Sequence, residues 1–460
     1  MATPDKSAFL SGIIEGFYGQ PWSPAERLEL FDRMVAWGLN TYFYCPKDDW
    51  KNRAIWREPY SAAELEALAS MVRACATRGI HFVYGLSPGL DIRYSHDDDR
   101  QRLIARFEQM LGIGCAHFAL LFDDIPDRME AAELAWFGSL ASAQCQVANV
   151  VHRWVHERQP AARFLFCPTP YCGRMAERQL GGEGYLETLG RELAPAIDIL
   201  WTGPEIISRE ITLDHIQALT RRLRRPPLIW DNLHANDYDG HRFFCGPYSG
   251  RPLALKSAVR GILTNPNCEL ALNFVAFRTL AAFVHAQDSW DPRAAYLAAL
   301  DEWLPQFATA GAPLSREDVV LLGDCYYLPF EDGAGANSLY VGLRRLLSQP
   351  PAQWGPEAAE VHRQVVRLRD VCARLADLRA RPLFYAIWRR TWELREEMDL
   401  LDRYLTLQRR GPEANQACAS DFHLPDTYRG GLVARLQRLL VQQPNGTFLP
   451  APPSPDPLLS

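Results

Sequence analysis

The sequence predicts an α/β fold, a (β/α)8 TIM barrel, followed by an all-α helical bundle. Three observations lead there. Eight near-continuous apolar runs recur at intervals of roughly 30 to 40 residues over the first part of the chain, the repeat length of a strand–helix unit. Helix-start signals lie between them. After Trp290 the strand-like runs stop and long helical patterns take over.

The runs are FLSGIIEG (9–16), NTYFYCPK (40–47), IHFVYGLSPG (80–89), HFALLFDD (117–124), RFLFCPTPY (163–171), IDILWTG (197–203), PLIWDN (227–232) and RGILTN (260–265). They are not alternating, as expected of parallel strands covered on both faces. Between them, Ser23 before Pro24 reads as an N-cap and first helical residue, and Ser61 with Glu64 has capping-box spacing. Leu28, Phe31 and Val35 fall at helical intervals. A doubly wound open sheet would want a Gly-rich phosphate turn after the first strand. That turn reads EGFYGQPW and contains no GxGxxG, so the barrel is preferred.

Helical patterns at 355–380 and 383–410, with apolar stripes through Val365/Leu368 and Leu400/Leu401/Tyr404, suggest a bundle. The stretch RRTWELREEMDLLDRYLTLQRR mixes charge signs and reads as a solvated helix face. From Pro444 to Ser460 six prolines read as a disordered tail, and the Asn445-Gly446-Thr447 sequon carries no meaning without a secretory signal. The expected domains are a catalytic barrel at 1–288, a stalk-like helical bundle at 289–443 and a Pro-rich tail at 444–460.

Composition narrows the function. The 460 residues are 48% hydrophobic and 23% charged, ordinary for a globular chain of barrel size plus a second unit. A formal net charge of -6 gives no electrostatic reason to expect nucleic acid. Only four lysines stand against 45 arginines, a skew that looks like bacterial codon bias and makes any retained lysine conspicuous. The eleven cysteines lack CxxC spacing; Cys167 and Cys172 have no matching second pair, so reduced thiols in a cytoplasmic protein are expected rather than a zinc site. No signal peptide or membrane span is apparent.

In such a barrel the chemistry sits at the C-terminal ends of the strands. Those ends carry Glu15-Gly16, Lys47-Asp48-Asp49, Ser87 to Asp91, Asp123-Asp124, Thr169-Pro170-Tyr171, Trp201-Thr202-Gly203, Trp230-Asp231-Asn232 and Asn265. Carboxylates, amides and aromatics on one face are the inventory of a sugar site. The sharpest feature is LLFDDI, two carboxylates directly after an apolar run. A strand end capping a helix is its ordinary structural reading. A divalent-metal site is another, but no HxH or HExxH accompanies it, and His152/His156 read as a solvent-facing pair lacking a third ligand. No metal and no cofactor is expected.

Glycosidases usually set two carboxyls on opposite sides of the bond they cleave, about 5–5.5 Å apart in retaining enzymes. Adjacent residues on one strand end suit a different arrangement. One carboxyl protonates the leaving oxygen and the other holds a neighbouring substrate group, so that a 2-acetamido oxygen acts as the nucleophile. Two close carboxyls also split their titrations.

GIIEGFYGQPWSPAER, NTYFYCPKDD, SPGLDI, FALLFDDI, FLFCPTPYCG, LWTGP, WDNLHANDYD and LTNPNCE resemble, in order, the O-GlcNAcase family, glycoside hydrolase family 84. YYLPFEDG (326–333) is similar to that family's helical stalk. The resemblance implies a retaining exo-β-N-acetylglucosaminidase that removes O-linked GlcNAc from Ser/Thr through an oxazoline intermediate. It implies that Asp123 orients the acetamido N–H, that Asp124 is the general acid and then base, and that Tyr171 hydrogen-bonds near the reacting centre. Trp230 would wall the acetyl pocket and Asn232 would help fix the acetamido group. Gly16 (through its carbonyl), Lys47, Asp237 and Asn265 would contact hydroxyls. Lys47 also fits the preference for a compact ammonium donor.

Each residue has a plainer reading as well: Trp230 and Tyr171 as core aromatics, Asn265 before Pro266 as a turn residue, Asp237 as loop chemistry, Lys47 as a solvated strand-end charge. Asp48, Asp49 and Asp91 read as structural. The extra modules that many members carry are not visible, and a homodimer through the helical region is a family-based expectation. The expected partners are GlcNAc-bearing proteins or glycoconjugates, with no nucleic acid and no membrane. Competing readings are a non-catalytic GlcNAc-binding protein on the same barrel and a metal-dependent hydrolase.

Overall fold

Residues 9–410 and 430–452 are described by a computed structural model of the chain. Eight parallel strands close into a barrel in sequence order: β1 (Leu10–Glu15), β2 (Thr41–Tyr44), β3 (His81–Leu86), β4 (His117–Leu121), β5 (Phe164–Cys167), β6 (Ile197–Trp201), β7 (Leu228–Asp231) and β8 (Gly261–Thr264). Closure is made by β1 against β8, with Leu10 opposite Gly261 and Ile13 opposite Thr264. All eight predicted strands are present. Every strand residue but His81 is buried, which is why the runs read as continuous rather than alternating.

Both predicted helix starts are present. Ser23 accepts from the Glu26 amide at 3.3 Å while Glu26 accepts from the Ser23 amide at 2.8 Å, opening helix Pro24–Trp37. Ser61 and Glu64 form the same reciprocal box before helix Ala62–Thr77. One stripe differs from expectation. Leu28 and Val35 are exposed; the buried face of the first helix is Arg27, Leu30, Phe31 and Met34. The inward row is set by Arg27, which turns in to meet the buried carboxylate of Glu15 at 2.7 Å.

The chain separates into two compact units. One comprises residues up to Asp237 with Tyr248–Cys268 and Leu280–Trp290; the other comprises Tyr238–Pro247, Glu269–Thr279 and the chain from Asp291. The second unit is helical, with long helices Glu357–Arg374 and Arg381–Arg409 burying Val365, Leu368, Leu400, Leu401 and Tyr404 as the stripes predicted. Among the described residues no helix is long and apolar enough to cross a membrane.

The region from Pro444, expected to be disordered, is ordered as far as residue 452. Leu440–Gln442 pairs antiparallel with Phe448–Pro450. Asn445 and Gly446 make the turn: Gly446 has φ 80°, and Asn445 accepts from the Thr447 amide at 3.1 Å. The sequon is thus a hairpin turn, and the remaining prolines from Pro453 lie outside the described residues.

A second correction falls in the mixed-charge helix. Glu397 is not on a solvated face but buried with Leu394, Met398 and Leu401, because its position lies on the inward stripe. Its carboxyl meets Gln437, whose Nε2 donates at 3.0 Å and whose Oε1 is buried without a partner among the described residues. Burial pushes the Glu397 pKa up to about 7, the nearby Glu396 adding to the rise and the Gln437 hydrogen bond opposing it. A folded-state pKa above the unfolded one gives stability that is full at acidic pH and is lost as pH rises through about 7. The shift corresponds to on the order of 3 kcal/mol. The helical unit of Glu397→Gln should therefore lose less melting temperature between pH 5 and pH 8 than the parent; identical pH dependence in calorimetry would refute the assignment.

Candidate active site

The site begins where β4 ends. His117–Leu121 and Phe122 are buried, Asp123 is buried behind them, and Asp124 is exposed. Asp124 has φ 51°, a left-handed conformation rare for residues other than glycine and best tolerated by Asn and Asp. The turn sends the two carboxyls to different partners. Asp124 accepts from the Tyr171 hydroxyl at 2.8 Å on Oδ1 and from the Tyr18 hydroxyl at 3.0 Å on Oδ2.

Asp123 is paired with the Lys47 ammonium through Oδ2, and both side chains are almost wholly removed from solvent. Burial by itself raises the Asp123 pKa, but the charges of Lys47 and Arg53 with the Lys47 hydrogen bond outweigh it and hold the carboxyl below the usual aspartate value. Burial likewise acts to lower Lys47, and the Asp123 carboxylate reverses the direction, so the ammonium is held above the ordinary lysine range. The pair is ionised. Its second oxygen, Asp123 Oδ1, is buried and has no hydrogen-bond partner among the described residues. Leaving a buried acceptor unpaired costs about 1–3 kcal/mol, so such an atom in a strand-end site marks a place for a donor.

Two more residues that the sequence pointed to, Asn265 and Asp237, share that property, as do Ser87 Oγ and Asn52 Oδ1, near the strand ends in sequence. Trp230, at the end of β7, donates its indole N–H to Asn232 Oδ1 at 2.9 Å. An indole N–H only donates, so the Asn232 oxygen must face it, and the Asn265 Nδ2 then donates to the same oxygen at 3.0 Å. This orientation leaves Asn265 Oδ1 buried and unpaired. Asn232 Nδ2 is held by the Ile206 carbonyl at 2.8 Å, so Asn232 chiefly orients Trp230 and Asn265. Asp237 accepts the Tyr18 backbone N–H at 3.0 Å on Oδ2, and its Oδ1 is again buried and unpaired. Burial raises the Asp237 pKa. Gly16 belongs here for a steric reason: a Cβ on it would stand 2.9 Å from the Trp230 ring. The structure therefore brings together Asp123, Asp124, Tyr171, Lys47, Trp230, Asn232, Asn265, Gly16 and Asp237 in the barrel unit.

Four other strand-end carboxylates are consumed. Glu15 accepts from Arg27, the Trp22 amide and the Tyr42 hydroxyl. Asp49 accepts from Tyr44 and Tyr60 at 2.9 and 2.7 Å, and Asp91 from the Trp56 indole at 2.8 Å. Asp231 takes Arg251 and Tyr248. Asp48 is exposed. A cation at the pair is disfavoured by chemistry, since an ammonium already occupies the Asp123 carboxylate. His152 and His156 are half-buried, not solvent-facing; their rings stack at 5.7 Å and His152 meets Phe164 edge-on.

Two members of the site stand outside the residues that the sequence pointed to. Tyr18 bonds Asp124 and Asp237, and its ring lies 5.7 Å from the Lys47 ammonium. Burial raises its phenol pKa. Arg53 is buried and donates to the backbone carbonyls of Asp123 and Asp124 at 3.3 and 2.7 Å. Tyr18 stands in EGFYG right after the first strand, where position alone would have found it. Nothing in a chain with 45 arginines distinguishes Arg53.

The chain is similar to known proteins over most of its length. A family model described as NAGidase, beta-N-acetylglucosaminidase, matches residues 11–314. Over 275 residues, 60% of the chain, the sequence is 46% identical to the Protein O-GlcNAcase of Rattus norvegicus, and equally to that of Mus musculus. The match covers 30% of each of those proteins, so the chain spans under a third of the length of these relatives. A solved structure of a mutant Thermobaculum terrenum O-GlcNAc hydrolase superposes with a TM-score of 0.76 at 26% identity, over 88% of this chain and 86% of that one.

The pairing of Lys47 with Asp123 predicts a coupled stability effect. Lys47→Met strands a buried carboxylate and should destabilise the barrel unit by about 3 kcal/mol. Adding Asp123→Asn removes the stranded charge and should recover much of the loss. Strictly additive melting shifts in the double variant would contradict the pairing.

Proposed function

The chain belongs to the beta-N-acetylglucosaminidase family, and from that premise we propose that it is a retaining exo-β-N-acetylglucosaminidase. Its proposed substrates are O-linked GlcNAc on Ser/Thr of proteins or related conjugates, and its proposed route is substrate-assisted catalysis through an oxazoline. The observation that carries the proposal is the ionised, Lys47-paired Asp123 with one unpaired buried oxygen, next to an exposed Asp124 held by two phenols.

The acetamido N–H is the donor for Asp123 Oδ1. Holding that N–H against a carboxylate makes the acetamido oxygen more nucleophilic and sets it beneath the anomeric carbon. That oxygen forms its bond to C1 as the C1–O bond to the aglycone breaks, and Asp124 gives its proton to the departing oxygen. The phenols of Tyr18 and Tyr171 then donate to the Asp124 carboxylate that results. In the second half Asp124 takes a proton from water, which attacks C1 and opens the oxazoline, so the β configuration returns. The negative Asp123 carboxylate stabilises the positive charge that develops on the acetamido group. Trp230 walls the acetyl methyl. Lys47, Asp237, Asn265 and the Gly16 carbonyl meet hydroxyls, the free oxygens of Asp237 and Asn265 accepting from them.

The same proposal takes 1–288 as the catalytic barrel and 289–443 as a stalk-like helical domain through which two chains pair. It also takes a cytoplasmic setting, which buried thiols outside any disulfide, such as Cys45, Cys75, Cys115 and Cys145, support.

Asp124→Asn should lower turnover of substrates with poor, alkyl leaving groups by on the order of 10²–10⁴ and spare those with activated aryl groups. Equal losses on both would remove the acid role. A thiazoline mimic of the oxazoline should inhibit strongly, and indifference to it would remove substrate assistance.

A further inference from the structure

We propose that Arg53 is a positioning residue for the Asp123–Asp124 pair, acting through their main chain. The inference rests on the function proposed above and extends it to a residue whose guanidinium is spent on main-chain carbonyls. The guanidinium of Arg53 donates from one nitrogen to the Asp123 carbonyl at 3.3 Å and from the other to the Asp124 carbonyl at 2.7 Å. Two donors in a rigid plane on consecutive carbonyls fix the peptide between them. That peptide enters Asp124 at φ 51°, a conformation an L-residue leaves readily unless its surroundings hold it. Because Asp124 sits in that well, its carboxyl reaches Tyr18 and Tyr171 while Asp123 points back to Lys47.

Arg53 is itself well anchored. It follows the short turn Trp50–Asn52, where Asp49 caps the Lys51 amide at 3.1 Å, and Asp49 is pinned by the hydroxyls of Tyr44 and Tyr60. Asn52 ties the same loop to the end of β3, through its side chain to the Gly85 carbonyl and through its own carbonyl to the Ser87 amide at 2.9 Å. The head of Arg53 is buried against the turn it holds. It is also, after Lys47, the second cation acting on Asp123. The titratable groups around that carboxylate are Lys47, Arg53, Asp124, Tyr18 and the thiols of Cys45 and Cys167.

Removing the guanidinium frees the turn and withdraws one positive charge from Asp123. Arg53→Met and Arg53→Lys test this on the full chain, with an activated aryl N-acetylglucosaminide, an alkyl N-acetylglucosaminide and a pH series. In Arg53→Met, kcat on the alkyl substrate should fall on the order of 10²-fold, the scale of a small displacement of a catalytic group, with KM nearly unchanged and the aryl substrate less affected. The acid limb of kcat/KM, set by ionised Asp123, should move to higher pH. Arg53→Lys should recover part of both effects. A loss that is equal on the two substrates with an unmoved acid limb would reduce Arg53 to a structural role and overturn the proposal, as would full activity of Arg53→Met. If Arg53→Met does not fold, Arg53→Lys is read by the same criteria. Carboxyl titration of Asp123 by NMR gives a readout independent of turnover: an upward shift in the variant is required even if the parent hydrolyses neither substrate, an outcome that would instead remove the function proposed above.

Discussion

A lysine and an aspartate, both removed from water and facing each other across the ends of β2 and β4, set the terms for the rest of the barrel's upper face. Two charges in such a place are tolerated only as partners, since either one alone would be a buried charge with its desolvation uncompensated. The pairing consumes one Asp123 oxygen and fixes the carboxylate in its ionised form. The other oxygen is left as a buried acceptor with no hydrogen-bond partner among the described residues. Everything proposed about the chemistry depends on that asymmetry.

The neighbouring carboxylates make the contrast clear. Glu15 and Asp231 are as deeply buried, and each has an arginine and a tyrosine hydroxyl on it: Arg27 with Tyr42, Arg251 with Tyr248. Those carboxylates are saturated, and they tie β1 and β7 to the elements that follow. Asp123 has the ion pair without saturation, and Asp124 has two phenols with solvent exposure. Function here is read from unfilled hydrogen-bonding capacity, not from charge or burial alone. The Trp230–Asn232–Asn265 chain follows the same logic, since its one obligatory donor orients both amides and leaves a single oxygen open.

The strands and the strand-end residues of the candidate site were legible because their signals are local. A buried parallel strand is a continuous apolar run, and the residue after it is at the working face whatever the rest of the chain does. The capping boxes at Ser23 and Ser61 are equally local. What escaped depends on partners distant in sequence. Arg27 turns inward because of Glu15, which moves the helix stripe away from Leu28 and Val35. Glu397 is buried because its side of the helix faces Gln437, and charge pattern alone cannot report that. Arg53 matters through two carbonyls some seventy residues away, and main-chain acceptors leave no trace in a sequence. The Asn445-Gly446 turn was legible in principle, but the proline content around it pointed the other way.

We propose that the nucleophile is the substrate's own acetamido oxygen, oriented by Asp123. This assignment is tested most directly by measuring kcat/KM across aryl glucosaminides whose N-acyl group is acetyl, monofluoroacetyl, difluoroacetyl and trifluoroacetyl. Fluorine weakens the acyl oxygen as a nucleophile while changing its size little. The account predicts a steep, progressive fall along the series. A flat dependence would contradict it, because an enzyme nucleophile or a directly attacking water would not feel the acyl group's basicity.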